Sequence, residues 1–130
     1  MPLALFILVG LGALALTISR LSSGQFSSAV QETISVQAFY AAESASQLAM
    51  NRILFTATNK ADADLNCASV NGSSLNFTTA GLNGCSAQLS CAVVANAGDA
   101  SGIYQVEVNA TCGSGTLVAE RRLITAVRYE

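Results

Sequence analysis

Polar and apolar positions change their spacing several times along this chain, and each change marks an element. Residues 2–18, PLALFILVGLGALALTI, hold no charge and a single hydroxyl, Thr17, and the first charged side chain is Arg20. A helix of about 18 or 19 residues would be roughly 27 to 29 Å long, against about 30 Å of bilayer hydrocarbon. No Lys or Arg precedes the apolar run and no break follows it, so the pattern predicts a retained anchor rather than a cleaved signal peptide. Beyond Arg20 an apolar residue returns every three or four positions, at Phe26, Val30, Ile34, Ala38, Ala41, Ala45, Leu48 and Ile53, with Gln, Glu and Ser between them. That spacing predicts an amphipathic continuation of the same helix. Its expected end is near Thr58 and Asn59, with Asn as the stop signal. Segment 1–21 is then an apolar membrane or filament-core helix, and 22–58 its amphipathic extension.

Residues 59–86 are rich in Asn, Ser, Gly and Asp and read as a loop region with one short strand at 75–79. Asp62 and Asp64 are expected to be solvated loop carboxylates. From Ala87 the period becomes two, and 87–130 reads as the antiparallel sheet that completes a globular head. Ala87, Leu89, Cys91, Val93 and Ala95 share one face; Tyr104, Val106, Val108, Ala110 and Cys112 share another. The segment NAGDASG between them is turn chemistry, so the runs form a hairpin, and a third strand at 116–129 follows the GSG turn. The predicted fold class is α+β: a long N-terminal helix, apolar then amphipathic, packed on a small antiparallel β-sheet.

The cysteines sharpen this picture. Cys67, Cys85, Cys91 and Cys112 include no CxxC pair, and the chain has no histidine, so a zinc site is disfavoured and two disulfides in an oxidising compartment are expected. With Cys91 opposite Cys112, Val93 would face Ala110 and Ala95 would face Val108, which leaves Cys67 to pair with Cys85. The other connectivities stay open at this level. Only 11% of residues are charged and six Lys and Arg are scattered from Arg20 to Arg128, so no basic surface suited to nucleic acid is present. Without histidine no Ser-His-Asp or Cys-His arrangement exists, and no phosphate-binding glycine loop is found; an enzyme is not expected, nor a cofactor or metal.

The stretch FYAAES, residues 39–44, within AFYAAESASQLAMNRI, directly follows the apolar helix. It resembles the Tyr-Ala-Ala-Glu signature of minor pilins of the PilX/MshP type in type IV pilus systems, including the MSHA pilus, over roughly residues 3 to 55. Major pilins carry a glutamate near the start of the mature helix, whereas this chain has none before Glu32, a lack shared with K-type pseudopilins and PilX-like minor pilins. No basic leader ending in glycine precedes the apolar run, and the resemblance implies one upstream in the gene.

The resemblance implies a pilin-like subunit held in the bacterial inner membrane with a periplasmic head, then carried to the cell surface in a pilus. Its partners would be other major and minor pilins through their N-terminal helices, the inner-membrane assembly machinery and, before assembly, the lipid bilayer. Its role would be initiation or priming of pilus assembly, with a tip and a shaft position both left open. A K-type pseudopilin of a type II secretion system and a non-polymerising single-span adhesin are the alternatives. The expected assembly helix comprises Phe39, Tyr40, Ala41, Ala42, Glu43 and Ala45. There the alanines admit a close neighbour, the aromatics Phe39 and Tyr40 with Leu48 and Phe55 supply buried area, and Glu43 meets a positive group of another subunit.

Overall fold

A computed structural model describes residues 2–97 and 101–130, and it is an α+β fold. Helix α1 runs Pro2–Leu54 and α2 runs Lys60–Val70. Four strands follow: β1, Ser74–Phe77; β2, Cys85–Ala97; β3, Ser101–Ser114; and β4, Leu117–Tyr129. All neighbours pair antiparallel in the order β1-β2-β3-β4. The chain divides into two compact units, Met1–Thr33 and Ile34–Glu130.

In the first unit, Leu3–Arg20 is long and apolar enough to cross a membrane, and none of that window is buried within the protein. Every side chain from Leu3 to Arg20 is exposed. Thr17 returns its hydroxyl to the carbonyl of Leu14 at 2.8 Å, as a hydroxyl in an apolar helix must.

The second unit holds the core. Ala38, Ala41, Ala42, Ala45, Ala49 and Ile53 form one stripe of α1 with at most 1% exposure. They pack with Ala87, Leu89, Tyr104, Val106, Val108 and Ala110, the inward face of β2 and β3. Alternation along the strands places these residues on one face, and the matching i, i+3, i+4 spacing does so on the helix. Alanine on the contact stripe lets the backbones approach. Ser46, the buried polar residue of the stripe, sits with its hydroxyl 3.2 Å from that of Thr125 on β4.

The GSG turn falls where the sequence places it. Gly115, with φ of +63°, opens a two-residue connection between Ser114 and Leu117, a position that favours glycine. At Gly113, φ is +96° and an added Cβ would stand 2.1 Å from the carbonyl oxygen of Leu117, so a side chain there is excluded. Within the NAGDASG turn, residues 98–100 lie outside the described residues; the flanking Ala97 and Ser101 are paired.

Several expectations are corrected. Helix α1 stops at Leu54, and the stretch read as loop contains α2. Asn59 starts that helix instead of ending α1: its side chain accepts from the backbone N–H of Asp62 at 2.9 Å. Asp62 closes the cap by accepting from the N–H of Thr58 at 3.1 Å. The signal was present, since Ala63, Cys67 and Val70, the buried residues of α2, follow i, i+4, i+7.

The disulfides are Cys67–Cys91 and Cys85–Cys112, not Cys91–Cys112 with Cys67–Cys85. Cys91 and Cys112 do share the inward face, but Cys85 lies opposite Cys112 while Cys91 lies opposite Val106. Period-two alternation fixes the face of a strand residue but leaves registers differing by an even number of residues equivalent. The connection after Ala97 and a register shift between Val93 and Ala95 set the actual pairing. Helix α2 then carries Cys67 over β2, within reach of Cys91.

Candidate functional site

The six expected assembly residues divide into two groups of three. Ala41, Ala42 and Ala45 are core, packed beneath the chain's own sheet. Phe39 and Tyr40 are exposed, with their rings in an edge-to-face pair at 5.8 Å, and Glu43 is half-buried. Phe39, Tyr40, Leu48 and Phe55 are all exposed, so the area they offer is not buried against the chain's own sheet. At 100° per residue the alanine stripe occupies one side of α1, and Phe39, Tyr40 and Glu43 fall outside it.

Along the side of α1 next to β4, these outward residues line a groove. One cavity of about 540 Å³ is bounded by Ser35, Val36, Phe39, Tyr40 and Arg121. A second, of about 250 Å³, is bounded by Phe39, Glu43, Ser46, Gln47, Met50, Leu123 and Thr125. Phe39 belongs to both and forms the divide between them. The groove exists because β4 is the last strand of the sheet, so Leu123, Thr125 and Val127 on its inward face remain half-buried.

Charge is arranged unevenly along it. The guanidinium of Arg121 donates to the hydroxyl of Ser35, fixing the positive end against α1. Among the described residues, Glu43 takes no side-chain hydrogen bond or ion pair. A carboxylate among Phe39, Met50 and Leu123 retains part of its hydration only while the groove stays open. The site thus offers apolar contact, one held cation and one acidic charge without an internal partner.

A second polar cluster, missed in the sequence, ties α2 to the sheet. The Tyr104 hydroxyl donates to Asp64 at 2.6 Å, and Lys60 donates to the other Asp64 oxygen at 2.9 Å. The Tyr104 hydrogen bond, followed by Lys60, holds the Asp64 carboxyl below its usual range. Burial, then the neighbouring Asp64 carboxylate, pushes the Tyr104 phenol up to about 12. Asp64 was read as a loop carboxylate; the clue was Tyr104 itself, an inward-facing phenol that needs an acceptor once buried. On the outer face of the sheet Arg122 pairs with Glu107 at 2.7 Å.

Comparison of the chain with protein-family models, with curated proteins and with solved structures returned no match.

Proposed function

We propose that the chain is a minor pilin, a membrane-held subunit of a type IV pilus that acts in initiating assembly. The observation that carries this reading is the change of character within α1: an uncovered apolar stretch, Leu3–Arg20, precedes a segment whose alanine stripe carries a disulfide-tied antiparallel head. An apolar helix with no partner in its own chain calls for lipid or for neighbouring helices, and a pilin meets both in succession. The FYAAES segment adds the position of Glu43, on the groove rather than in the core. A bacterial inner-membrane location with the head in the periplasm accords with two disulfides, which persist where thiols are oxidised.

Deletion of the gene, with pili counted and measured by electron microscopy, tests the reading. Fewer pili of normal length are expected. Pili of unchanged number but reduced length would assign the chain to the shaft. Unchanged number and length with lost attachment would make it an adhesin, and pili unaffected in every respect would sink the proposal.

A further inference from the structure

The two exposed flanks of α1 complement each other. One flank carries Phe39 and Glu43 along the groove, and Ser46, buried at the same i, i+4, i+7 spacing, lies in the wall of its cavity. The other carries Leu48 and Arg52, continued at i, i+7 by Phe55 in the turn just past the end of α1, whose N–H still bonds to the carbonyl of Asn51; Leu48 is 38% and Phe55 82% exposed. Arg52, like Glu43, takes no side-chain hydrogen bond or ion pair among the described residues. Glu43 and Arg52 are nine residues apart, which on an α-helix is about 13.5 Å along the axis and about half a turn around it. The opposite charges therefore face away from each other on one chain, and cannot pair within it.

A single shift satisfies both. Displacing a second copy by nine residues along a parallel α1 sets its Leu48 beside Phe39, its Arg52 beside Glu43 and its Phe55 beside Ser46. Ser46 lies in the wall of the cavity of about 250 Å³, which has room for one aromatic side chain. Each stripe is apolar residue, charge, then the mouth or the filler of that cavity, in the same order. The two flanks differ, so the contact is heterologous and leaves one flank of each copy open for the next. Aromatic and arginine side chains are the types that most often anchor such contacts.

We propose that the groove between α1 and β4 is the docking site for the Leu48, Arg52 and Phe55 flank of a second copy of this chain. The proposal rests on the filament-subunit reading only in identifying what such a contact is for; the contact itself stands on residues of the Ile34–Glu130 unit.

The test uses the full chain in bacterial membranes, co-produced with two different tags, solubilised in detergent and captured through one of them. The two tagged forms are expected to co-purify. Glu43→Arg alone and Arg52→Glu alone should each lower co-capture about tenfold, since each places like charges together in the contact. The chain carrying both reversals should return to within about threefold of the unmodified chain. Phe55→Ala should weaken capture without regard to charge. Circular dichroism of each variant checks that the head remains folded, and Glu43→Gln with Arg52→Gln replaces the reversals if it does not; each should then lower co-capture by a smaller factor. Copies that fail to associate overturn the proposal. So does association indifferent to every one of these changes, which would place it in the apolar stretch, and so does a double reversal no better than the single ones. Pilus counts in the same variants separate the two ideas. Lost pili without self-association leave the pilin reading standing and remove this contact; self-association with unaffected pili does the reverse.

Discussion

The stretch Leu3–Arg20 and the stripe from Ala38 to Ile53 belong to one helix yet have opposite relations to the rest of the chain. The first is apolar on all sides and none of it is buried among the described residues. The second is interrupted by polar and charged residues, and its small residues are among the most deeply buried of the described residues. Burial therefore does not follow hydrophobicity here; it follows what lies opposite. Alanine contributes little transfer free energy on its own, but five closely packed alanines let the sheet approach the helix, and Val106, Val108 and Leu89 supply the apolar area. The leucines and isoleucines of the first stretch have no such surface within the chain, so their burial waits for lipid or other helices.

That difference is open to direct attack. The largest expected effect is on the head. Its two disulfides close loops with sequence separations of 24 and 27, each worth about 3.5 kcal/mol in the chain-entropy model. Replacing Cys85 and Cys112 together by alanine should lower the Tm of the full chain in detergent by well over ten degrees. Membrane association, measured by flotation, should remain. Loss of flotation in that variant would show that the two regions do not act separately.

Next in size is the reverse experiment. Leu8→Lys places a charge within the apolar stretch, at a cost of up to about 2.5 to 3.5 kcal/mol, the value for a charge at a bilayer centre. It should reduce membrane insertion and leave the head's Tm unchanged, because Leu8 is exposed and the core belongs to the other compact unit.

Ala42→Leu adds bulk to a position with 1% exposure against the sheet and should cost about 1 to 3 kcal/mol, read as a lowered denaturant midpoint. The same change at Ser44, which is exposed on the same helix, should move the midpoint by less than about 0.5 kcal/mol. Equal effects would mean that α1 is not seated on the sheet through its alanine stripe.

The smallest expected effect concerns the tie from α2 to β3. Tyr104→Phe removes one hydrogen bond to a carboxylate and should cost about 1 to 2 kcal/mol at neutral pH. The sign of its pH dependence is fixed by both partners. Asp64, depressed by Tyr104 and Lys60, stabilises the fold above its unfolded pKa and loses that contribution as pH falls through its folded value. Tyr104, raised to about 12, contributes fully below the ordinary phenol pKa of about 10 and loses its contribution as pH rises towards 12. The difference in stability between the unmodified chain and Tyr104→Phe should therefore shrink at both ends. An ultraviolet titration should show a tyrosine, Tyr104, ionising above the ordinary phenol range, at about 12.

What the residues alone determined is whatever depends on period. Spacing of three and four placed Ala38, Ala41 and Ala45 on one stripe, and alternation placed Tyr104, Val106, Val108, Ala110 and Cys112 on one face, because both follow from backbone geometry within a single element. Glycine and serine between apolar runs marked the turn at Gly115 for the same local reason. Tertiary structure decided whatever depends on a second element. It chose the register that joins Cys85 to Cys112, since an even slip preserves every face and only the connection and the shift after Val93 separate the alternatives. It brought α2 over β2 and so joined Cys67 to Cys91 and Asp64 to Tyr104. It also sent Phe39 and Tyr40 outward. Helical spacing names the sides of α1 but not which side a sheet will cover, and the sheet took the side where alanine lets two backbones come close.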